Sequence, residues 1–224
     1  MNLIFLGDSL MQPNDFSTFP QEGWPQELHY FLKDPANVHV LDFALNGRST
    51  KSFIDEGRFG QAVEAAKKGD IAIISFGHND EKKQDKKRYT DPFGEYQKNL
   101  AFMMRDFAAR GCSTVFVTSM TRLQYDEQGI LLHTHGDYPK AMKEEASKLG
   151  APLVDLEAIS YDFLSKAPFE TNAHYYMDFP ASEYPNYPEG SSDTSHLSEQ
   201  GAKMVCRLLL PEFHKIPLLD PLFL

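Results

Sequence analysis

The chain contains 224 residues, of which 42% are hydrophobic and 24% are charged. This composition is typical of a globular domain of above-average size, and it excludes intrinsic disorder, collagen-like repeats and a disulfide-dense scaffold. With 22 Lys and Arg against 32 Asp and Glu, the formal net charge is −10, which argues against binding to duplex nucleic acid and against attraction to an anionic membrane. The two cysteines, Cys112 and Cys206, are too few for a zinc site of their own, and we expect buried free thiols.

From the first residues of the chain we expect no targeting signal. Segment 1–6 has no basic region and no apolar stretch of signal-peptide length. Nowhere does an apolar run reach about 18 residues, the length that spans a membrane. We therefore expect a cytoplasmic protein with neither a membrane nor a nucleic acid as partner, and the oligomeric state stays open.

Short apolar runs alternate with amphipathic stretches along the chain, as in α/β domains. The runs are nearly continuous in β-branched and aromatic residues, which is typical of parallel strands covered on both faces. They predict strands at residues 3–6, 38–43, 71–76, 114–118 and 152–156. Helical patterns predict helices at residues 24–32, 60–67, 92–110, 138–149 and 198–213. This order predicts a three-layer α/β/α sandwich with a central parallel five-stranded sheet, in one domain over residues 1–224.

Four short segments follow predicted strands or precede the last predicted helix. They are Gly-Asp-Ser-Leu at 7–10, Asn-Gly-Arg-Ser at 46–49, Gly-His-Asn-Asp at 77–80 and Asp-Thr-Ser-His at 193–196. Ligands of parallel α/β sheets bind beyond the carboxyl ends of the strands, so we expect these segments to meet at one site. Each segment alone is weak evidence, because a serine, asparagine or aspartate at such a place is more often a helix cap or a turn residue.

Together and in this order, the four segments resemble the sequence blocks of the SGNH (GDSL-type) esterase superfamily. The resemblance extends from Gly7 to His196 and implies the flavodoxin-like fold of those hydrolases. It also implies that Ser9 is the nucleophile and that Asp193 and His196 complete a catalytic triad. By the same resemblance the oxyanion hole is formed by Ser9, Gly47 and Asn79, and no cofactor is required.

The chemistry of these side chains agrees with the roles that the resemblance implies. A serine hydroxyl such as that of Ser9 is a weak nucleophile and needs a base, which a neutral histidine supplies near pH 7. The carboxylate of Asp193 would orient the ring of His196 and stabilise the imidazolium that forms. Backbone N–H groups of Ser9 and Gly47 and the side-chain amide of Asn79 could donate to the oxyanion.

Further segments resemble one branch of the superfamily, the rhamnogalacturonan acetylesterases of carbohydrate esterase family 12. They are segments 46–53, 56–58, 76–80 and 23–25. Enzymes of that branch remove acetyl groups from the acidic pectin backbone, so the resemblance implies an acetylated pectin-derived oligosaccharide as substrate. Two alternatives remain: a general short-chain carboxylesterase or lysophospholipase, and a carbohydrate-binding protein without catalysis.

Candidate substrate-binding residues are Arg48, His78, Tyr176 and Tyr187. The two tyrosines belong to segment 160–192, which is rich in proline, aromatic and acidic residues. We expect an ordered excursion over one face, whose rings either stack on sugars or anchor the loop by packing. Residues 81–88 contain five cations and two acids, a local net charge of +3, and form either a solvated face or an attractor for galacturonate carboxylates.

A metal site is the less favoured interpretation of the histidines. His133, His135, His174, His78 and Asp193 can be imagined as ligands, with zinc activating a water molecule. However, the sequence contains no HExxH or comparable pair, and His133 and His135 fall in a polar, glycine-containing loop. We therefore predict no metal.

Overall fold

A parallel sheet runs through the middle of the molecule. In the computed structural model, which describes all 224 residues, its strands are β1 (Asn2–Gly7), β2 (His39–Asp42), β3 (Ile71–Ser75), β4 (Ser113–Val117) and β5 (Leu153–Val154). Their order in the sheet is β2-β1-β3-β4-β5, and every neighbouring pair is parallel. The prediction of a central parallel five-stranded sheet is confirmed.

Helices cover both faces of this sheet. The α-helices are α1 (Thr50–Asp55), α2 (Arg58–Ala65), α3 (Gln97–Ala109), α4 (Tyr138–Leu149), α5 (Leu156–Leu164), α6 (Phe169–Asn172) and α7 (Glu199–Phe213). Short 3-10 helices lie at Phe16–Thr18, Trp24–Phe31, Ala173–Tyr175 and Asp220–Leu222, and a π-helical turn at Pro92–Tyr96 leads into α3.

Two predicted helices differ in detail from the structure. The sequence predicts an ordinary helix at residues 24–32, but Trp24–Phe31 is a 3-10 helix. The apolar spacing could not distinguish the two, because repeats of 3.0 and 3.6 residues place similar side chains on one face over two turns. The helix predicted at 60–67 begins earlier, at Arg58, and the short helix α1 precedes it, where Ser49 and Ser52 form a capping box.

The strands bury apolar side chains on both faces. Leu3 and Phe5 of β1 point to the core beneath α7, whereas Ile4 and Leu6 point to the core beneath α2, α3 and α4. This alternation follows from the two-residue period of a strand, and it explains why the apolar runs are continuous. The three-layer α/β/α arrangement is therefore confirmed.

The excursion forms a second, antiparallel sheet. β6 (Tyr176–Phe179) pairs with β7 (Ser191–Leu197), and β7 leads into α7. Between these strands, the side chain of Asn186 donates hydrogen bonds to the carbonyls of Phe16 (2.7 Å) and Phe19 (3.0 Å). The excursion is thus ordered and tied to the loop that follows β1, and it brings β7 to the carboxyl ends of the parallel strands.

The remaining structural expectations concern the cysteines and the membrane. Cys112 and Cys206 are both free and buried, as expected. Among the helices of the chain, none combines the length and the apolar character needed to cross a membrane.

Candidate active site

A small polar cavity lies where the four sequence segments meet, and we call it the strand-end cavity. Its volume is about 170 Å³, and no hydrophobic residue lines it. The lining residues are Ser9, Asn46, Gly47, His78, Asn79, Lys82, Arg88, Arg122, Ser195 and His196. The structure thus brings together residues from all four segments, as the position of each segment after a strand or before the last helix indicates.

Ser9 is presented by a tight turn directly after β1. The backbone N–H groups of Met11 and Gln12 donate to the carbonyl of Asp8 at 3.1 and 3.0 Å, and the side chain of Asp8 accepts from the N–H of Leu10 at 3.1 Å. Burial raises the pKa of Asp8 to about 6, although the Leu10 N–H and the nearby His135, His196 and Arg122 act in the opposite direction. The turn holds Ser9 half-buried at the cavity wall.

His196 and Asp193 form a hydrogen-bonded pair on β7. Nδ1 of His196 lies 2.5 Å from Oδ2 of Asp193, and Oδ1 of Asp193 accepts the backbone N–H groups of Ser195 (2.8 Å) and His196 (3.0 Å). Burial alone would raise the pKa of Asp193, but these bonds and the ring of His196 lower it to about 2. Because an ionised carboxylate only accepts, Nδ1 carries the proton and Nε2 is left as a base.

Gly47 occupies a turn that a residue with a side chain would adopt only under strain. The N–H of Arg48 donates to the carbonyl of Leu45 at 3.2 Å, and Gly47 within this turn has a φ of +78°. An added Cβ would meet nothing closer than 3.8 Å, so backbone conformation and not space requires glycine.

Asn79 is fixed on both sides of its amide. Its Nδ2 donates to the carbonyl of Arg48 at 3.1 Å, and Nη1 of Arg88 donates to its Oδ1 at 3.3 Å. Arg88 is itself held by Asp85, whose Oδ2 lies 2.6 Å from Nε. Since a guanidinium only donates, the atom facing Arg88 must be the carbonyl oxygen, and Nδ2 keeps a second hydrogen for a ligand.

Asp80 links the segment that carries Asn79 to Thr50 and Thr90. Its carboxyl accepts hydrogen bonds from Oγ1 of Thr50 (2.5 Å), Oγ1 of Thr90 (2.8 Å) and the N–H of Thr50 (3.1 Å). Complete burial raises the pKa of Asp80 to about 7 in spite of these donors. Asp80 therefore supports the loop that carries Asn79.

His78 is a buried, neutral wall of the cavity. Its Nε2 lies 3.2 Å from the carbonyl of Met120, and the same carbonyl lies 2.7 Å from Nε2 of His135. Burial lowers the pKa of His78 well below its usual value, and the charges of His135 and Arg122 add to this. Arg122 forms a salt bridge of 2.6 Å with Glu81 and donates to the carbonyl of His78 at 3.3 Å.

The other predicted substrate-binding residues lie outside the cavity lining. Tyr176 is only 1% exposed and its hydroxyl donates to the carbonyl of Thr121 at 2.6 Å, so its predicted contact with substrate is wrong. Tyr187 is half-buried, and its hydroxyl donates to the carbonyl of Thr18 at 3.1 Å. The guanidinium of Arg48 pairs with Glu56 at 2.8 Å, and only its carbonyl reaches Asn79. An aromatic-rich segment does not reveal which rings serve as core anchors.

The contacts of Arg88 and Arg122 in this site were not predictable from their local sequence. Arg88 belongs to the basic run 81–88. The only sequence feature that could have singled it out is that it is the one arginine among lysines and lies two residues before the buried Thr90. Arg122 follows β4, and nothing in its local sequence distinguished it. No group of three or more His, Cys, Asp or Glu side chains in the structure could hold a metal ion.

Comparisons with known proteins identify a protein family and similar relatives. The model of the GDSL-like Lipase/Acylhydrolase family matches residues 5–204. The chain is 36% identical over 222 residues to rhamnogalacturonan acetylesterase RhgT of Bacillus subtilis, covering 98% of this chain and 93% of that protein. It is 32% identical over 209 residues to the probable rhamnogalacturonan acetylesterase YesY of the same species, covering 93% and 90%.

Solved structures show the same fold. The crystal structure of YxiM from Bacillus subtilis superimposes with a TM-score of 0.80 at 22% identity, covering 96% of this chain and 56% of that one. Axe2, an acetylxylan esterase from Geobacillus stearothermophilus, superimposes with a TM-score of 0.65 at 18% identity, covering 94% and 93%.

Proposed function

The chain belongs to the GDSL-like lipase/acylhydrolase family, and on this basis we propose that it is a serine esterase that removes acetyl groups from pectin-derived rhamnogalacturonan oligosaccharides. One observation carries the proposal: Ser9, Asn79 and the Asp193-paired His196 all line or border one polar cavity at the strand ends. The names of the two Bacillus subtilis relatives support the choice of substrate.

The proposed reaction proceeds through an acyl-enzyme. Oγ of Ser9 attacks the acetyl carbonyl carbon while Nε2 of His196 takes the hydroxyl proton. The resulting oxyanion accepts hydrogen bonds from the N–H groups of Ser9 and Gly47 and from Nδ2 of Asn79. The C–O bond to the sugar then breaks, and His196 returns the proton to the sugar oxygen. Finally His196 activates a water molecule that attacks the acyl-enzyme, which releases acetate and restores Ser9.

The cavity favours a short acyl group on a polar substrate. At about 170 Å³ with no hydrophobic lining residue, it is too small and too polar to enclose a long acyl chain. Lys82, Arg88 and Arg122 line it, and no acidic side chain does. In a chain of net charge −10, this local positive charge suits a substrate that carries carboxylates. The cytoplasmic location remains a prediction.

Acetate release tests the proposal. Wild type and Ser9→Ala are incubated with acetylated rhamnogalacturonan oligosaccharides, acetylated xylo-oligosaccharides and an aryl acetate. We expect the highest kcat/KM on the pectic substrate and no hydrolysis by Ser9→Ala, whose folding is checked by circular dichroism. Activity on the aryl acetate alone would refute the substrate assignment, and oligosaccharide binding without any hydrolysis by wild type would support the non-catalytic alternative.

A further inference from the structure

A second and larger cavity adjoins the strand-end cavity, and we call it the side cavity. Residues 81–84, 91–93 and 134–138, together with Tyr89, line its volume of about 640 Å³. That volume falls in the range of roughly 300–1,000 Å³ that is usual for small-molecule sites. Lys82 lines both cavities, and so stands at the border between the acetyl site and the space beyond it.

The position of Lys82 follows from the turn after β3. Its backbone N–H donates to the carbonyl of Asn79 at 3.3 Å, so it lies one turn from the proposed oxyanion donor. Arg88 and Arg122 beside it are paired with Asp85 and Glu81, whereas the ammonium group of Lys82 forms no salt bridge. Partial burial lowers the pKa of Lys82, and the positive charges of Arg88 and Arg122 lower it further. An anion at this place would compensate an unpaired charge.

The side cavity itself carries mixed charge. Its acidic residues are Glu81, which is paired with Arg122, and the exposed Asp91 and Asp137 at the starts of two helices. A carboxylate is therefore best accommodated at the Lys82 border and not deep within the side cavity. The ring of Phe93 is 43% exposed, and Nζ of Lys140 lies 5.5 Å from its centroid, so a sugar that stacks on this ring must use the face that Lys140 does not cover.

We propose that Lys82 binds a carboxylate of the acidic oligosaccharide that carries the acetyl group, and that the side cavity holds the sugar units beyond it. This inference rests on the proposed function and adds to it the direction of the oligosaccharide and the residue that recognises its charge. A single ammonium–carboxylate contact at an exposed site is expected to change KM by roughly three- to fivefold.

The test compares Lys82→Gln with Lys82→Arg and with the control Lys86→Gln. Lys86 belongs to the same basic run, is exposed and lines neither cavity. Each variant is assayed for kcat and KM on acetylated rhamnogalacturonan oligosaccharides and on the same oligosaccharides after reduction of their carboxyl groups to alcohols. We expect Lys82→Gln to raise KM by roughly three- to fivefold on the acidic substrate only, Lys82→Arg to restore most of the loss, and Lys86→Gln to behave as wild type.

The outcomes separate the two proposals. If wild type deacetylates the acidic oligosaccharide but Lys82→Gln changes both substrates equally or neither, the role of Lys82 is overturned and the proposed function stands. If wild type hydrolyses only the aryl acetate, the proposed function fails and the carboxylate site fails with it. As a second variant, Phe93→Ala should raise KM for longer oligosaccharides more than for short ones, and a length-independent effect would refute the use of the side cavity.

Discussion

Arg88 donates a hydrogen bond of 3.3 Å to Oδ1 of Asn79 and thereby orients the amide whose other end faces the strand-end cavity. The guanidinium is held in turn by Asp85 at 2.6 Å. An asparagine side chain alone would rotate freely between two orientations of opposite polarity. The chain Asp85–Arg88–Asn79 therefore preorganises a donor before substrate arrives, which is where oxyanion stabilisation gains most of its strength.

This relationship predicts that Arg88 acts through Asn79. Asn79→Ala should lower kcat by roughly 100- to 1,000-fold, because one oxyanion donor is lost. Arg88→Gln should lower kcat on an aryl acetate by about tenfold, with little change in KM, because the amide of Asn79 is then held only by the carbonyl of Arg48. The measurement is steady-state kinetics on the two single variants and on the double variant.

A double-mutant cycle provides the control for this prediction. When Asn79 is already alanine, Arg88→Gln should have little further effect on kcat, because its target is gone. Full additivity of the two changes would show that Arg88 acts independently of Asn79, for example by direct contact with the leaving group.

The sheet was predictable because strands buried on both faces leave a strong sequence signal. Residues 71–76 are apolar except for Ser75, and Ile71–Ser75 is buried throughout. Helix α1 was not predictable in the same way, since it has only six residues and its start depends on Ser49, Ser52 and the distant Asp80. Such a short helix is stabilised by capping and tertiary contacts, which a local apolar pattern does not reveal.

The Asp193–His196 pair leads to a second prediction. Asp193→Asn should lower kcat by about 10⁴-fold, because an amide facing Nδ1 no longer enforces the tautomer in which Nε2 is the base. Because the pKa of Asp193 is lowered to about 2, it stays ionised at any pH above about 4, and the acid limb of the wild-type pH profile should not arise from it. The measurement is kcat between pH 4 and 9.

A matched variant distinguishes chemistry from damage to the fold. Ser195→Ala keeps the backbone N–H that donates to Asp193 while removing a neighbouring hydroxyl. It should retain most of the activity. An Asp193→Asn variant with nearly wild-type kcat would remove Asp193 from the proposed triad.

The third prediction concerns stability and pH at Asp80. Its folded pKa of about 7 lies above the ordinary value of 3.8, so between these values the folded state holds a proton that the unfolded state has released. Stability from this group is fully present below about pH 4 and is lost as the pH rises through 7, by at most about 1.4 kcal/mol per pH unit. Asp80→Asn removes this dependence, although it weakens the bonds to Thr50 at every pH.

Urea unfolding at pH 5 and pH 8 measures this effect. The free energy of unfolding of Asp80→Asn should fall below that of wild type by more at pH 5 than at pH 8. Glu64→Gln is the control, because Glu64 is exposed on α2 and forms no salt bridge there. If Asp80→Asn lowers the free energy of unfolding by the same amount at pH 5 and at pH 8, Asp80 is ionised in the folded protein across this range.

The site could be predicted only as far as its residues carry local motifs. Ser9, Gly47, Asn79, Asp193 and His196 were identified because each belongs to a short segment at a strand end or before the last helix. The partners that orient them come from elsewhere in the chain and have no motif: Arg88 reaches Asn79 from a basic run, and Arg122 reaches His78 from the end of β4. For Tyr176 the error is the opposite one, because a residue predicted to bind substrate is buried in the core. Burial depends on tertiary packing, which an aromatic-rich segment does not specify.

The fourth prediction concerns the length of the acyl group. The strand-end cavity is small and its lining contains no hydrophobic residue, so each methylene added beyond acetyl remains in water or meets polar groups. Aryl acetate should therefore be hydrolysed with a kcat/KM at least about tenfold higher than that of the matching aryl octanoate. The measurement is initial rates on an acyl series from two to eight carbons, with Ser9→Ala as the blank for spontaneous hydrolysis.

A rise in kcat/KM with acyl length would contradict this expectation and favour the lysophospholipase alternative. Such a rise would require an apolar groove beside Ser9. Neither cavity lined by Lys82 offers one, because only three of the 13 residues that line the side cavity are hydrophobic and none of those that line the strand-end cavity is. Because the hydrophobic contribution grows with buried apolar area, six additional methylenes would dominate binding wherever such a groove existed. Acyl-length selectivity therefore reports directly on the polarity of the wall around Ser9, independently of which sugar carries the acetyl group.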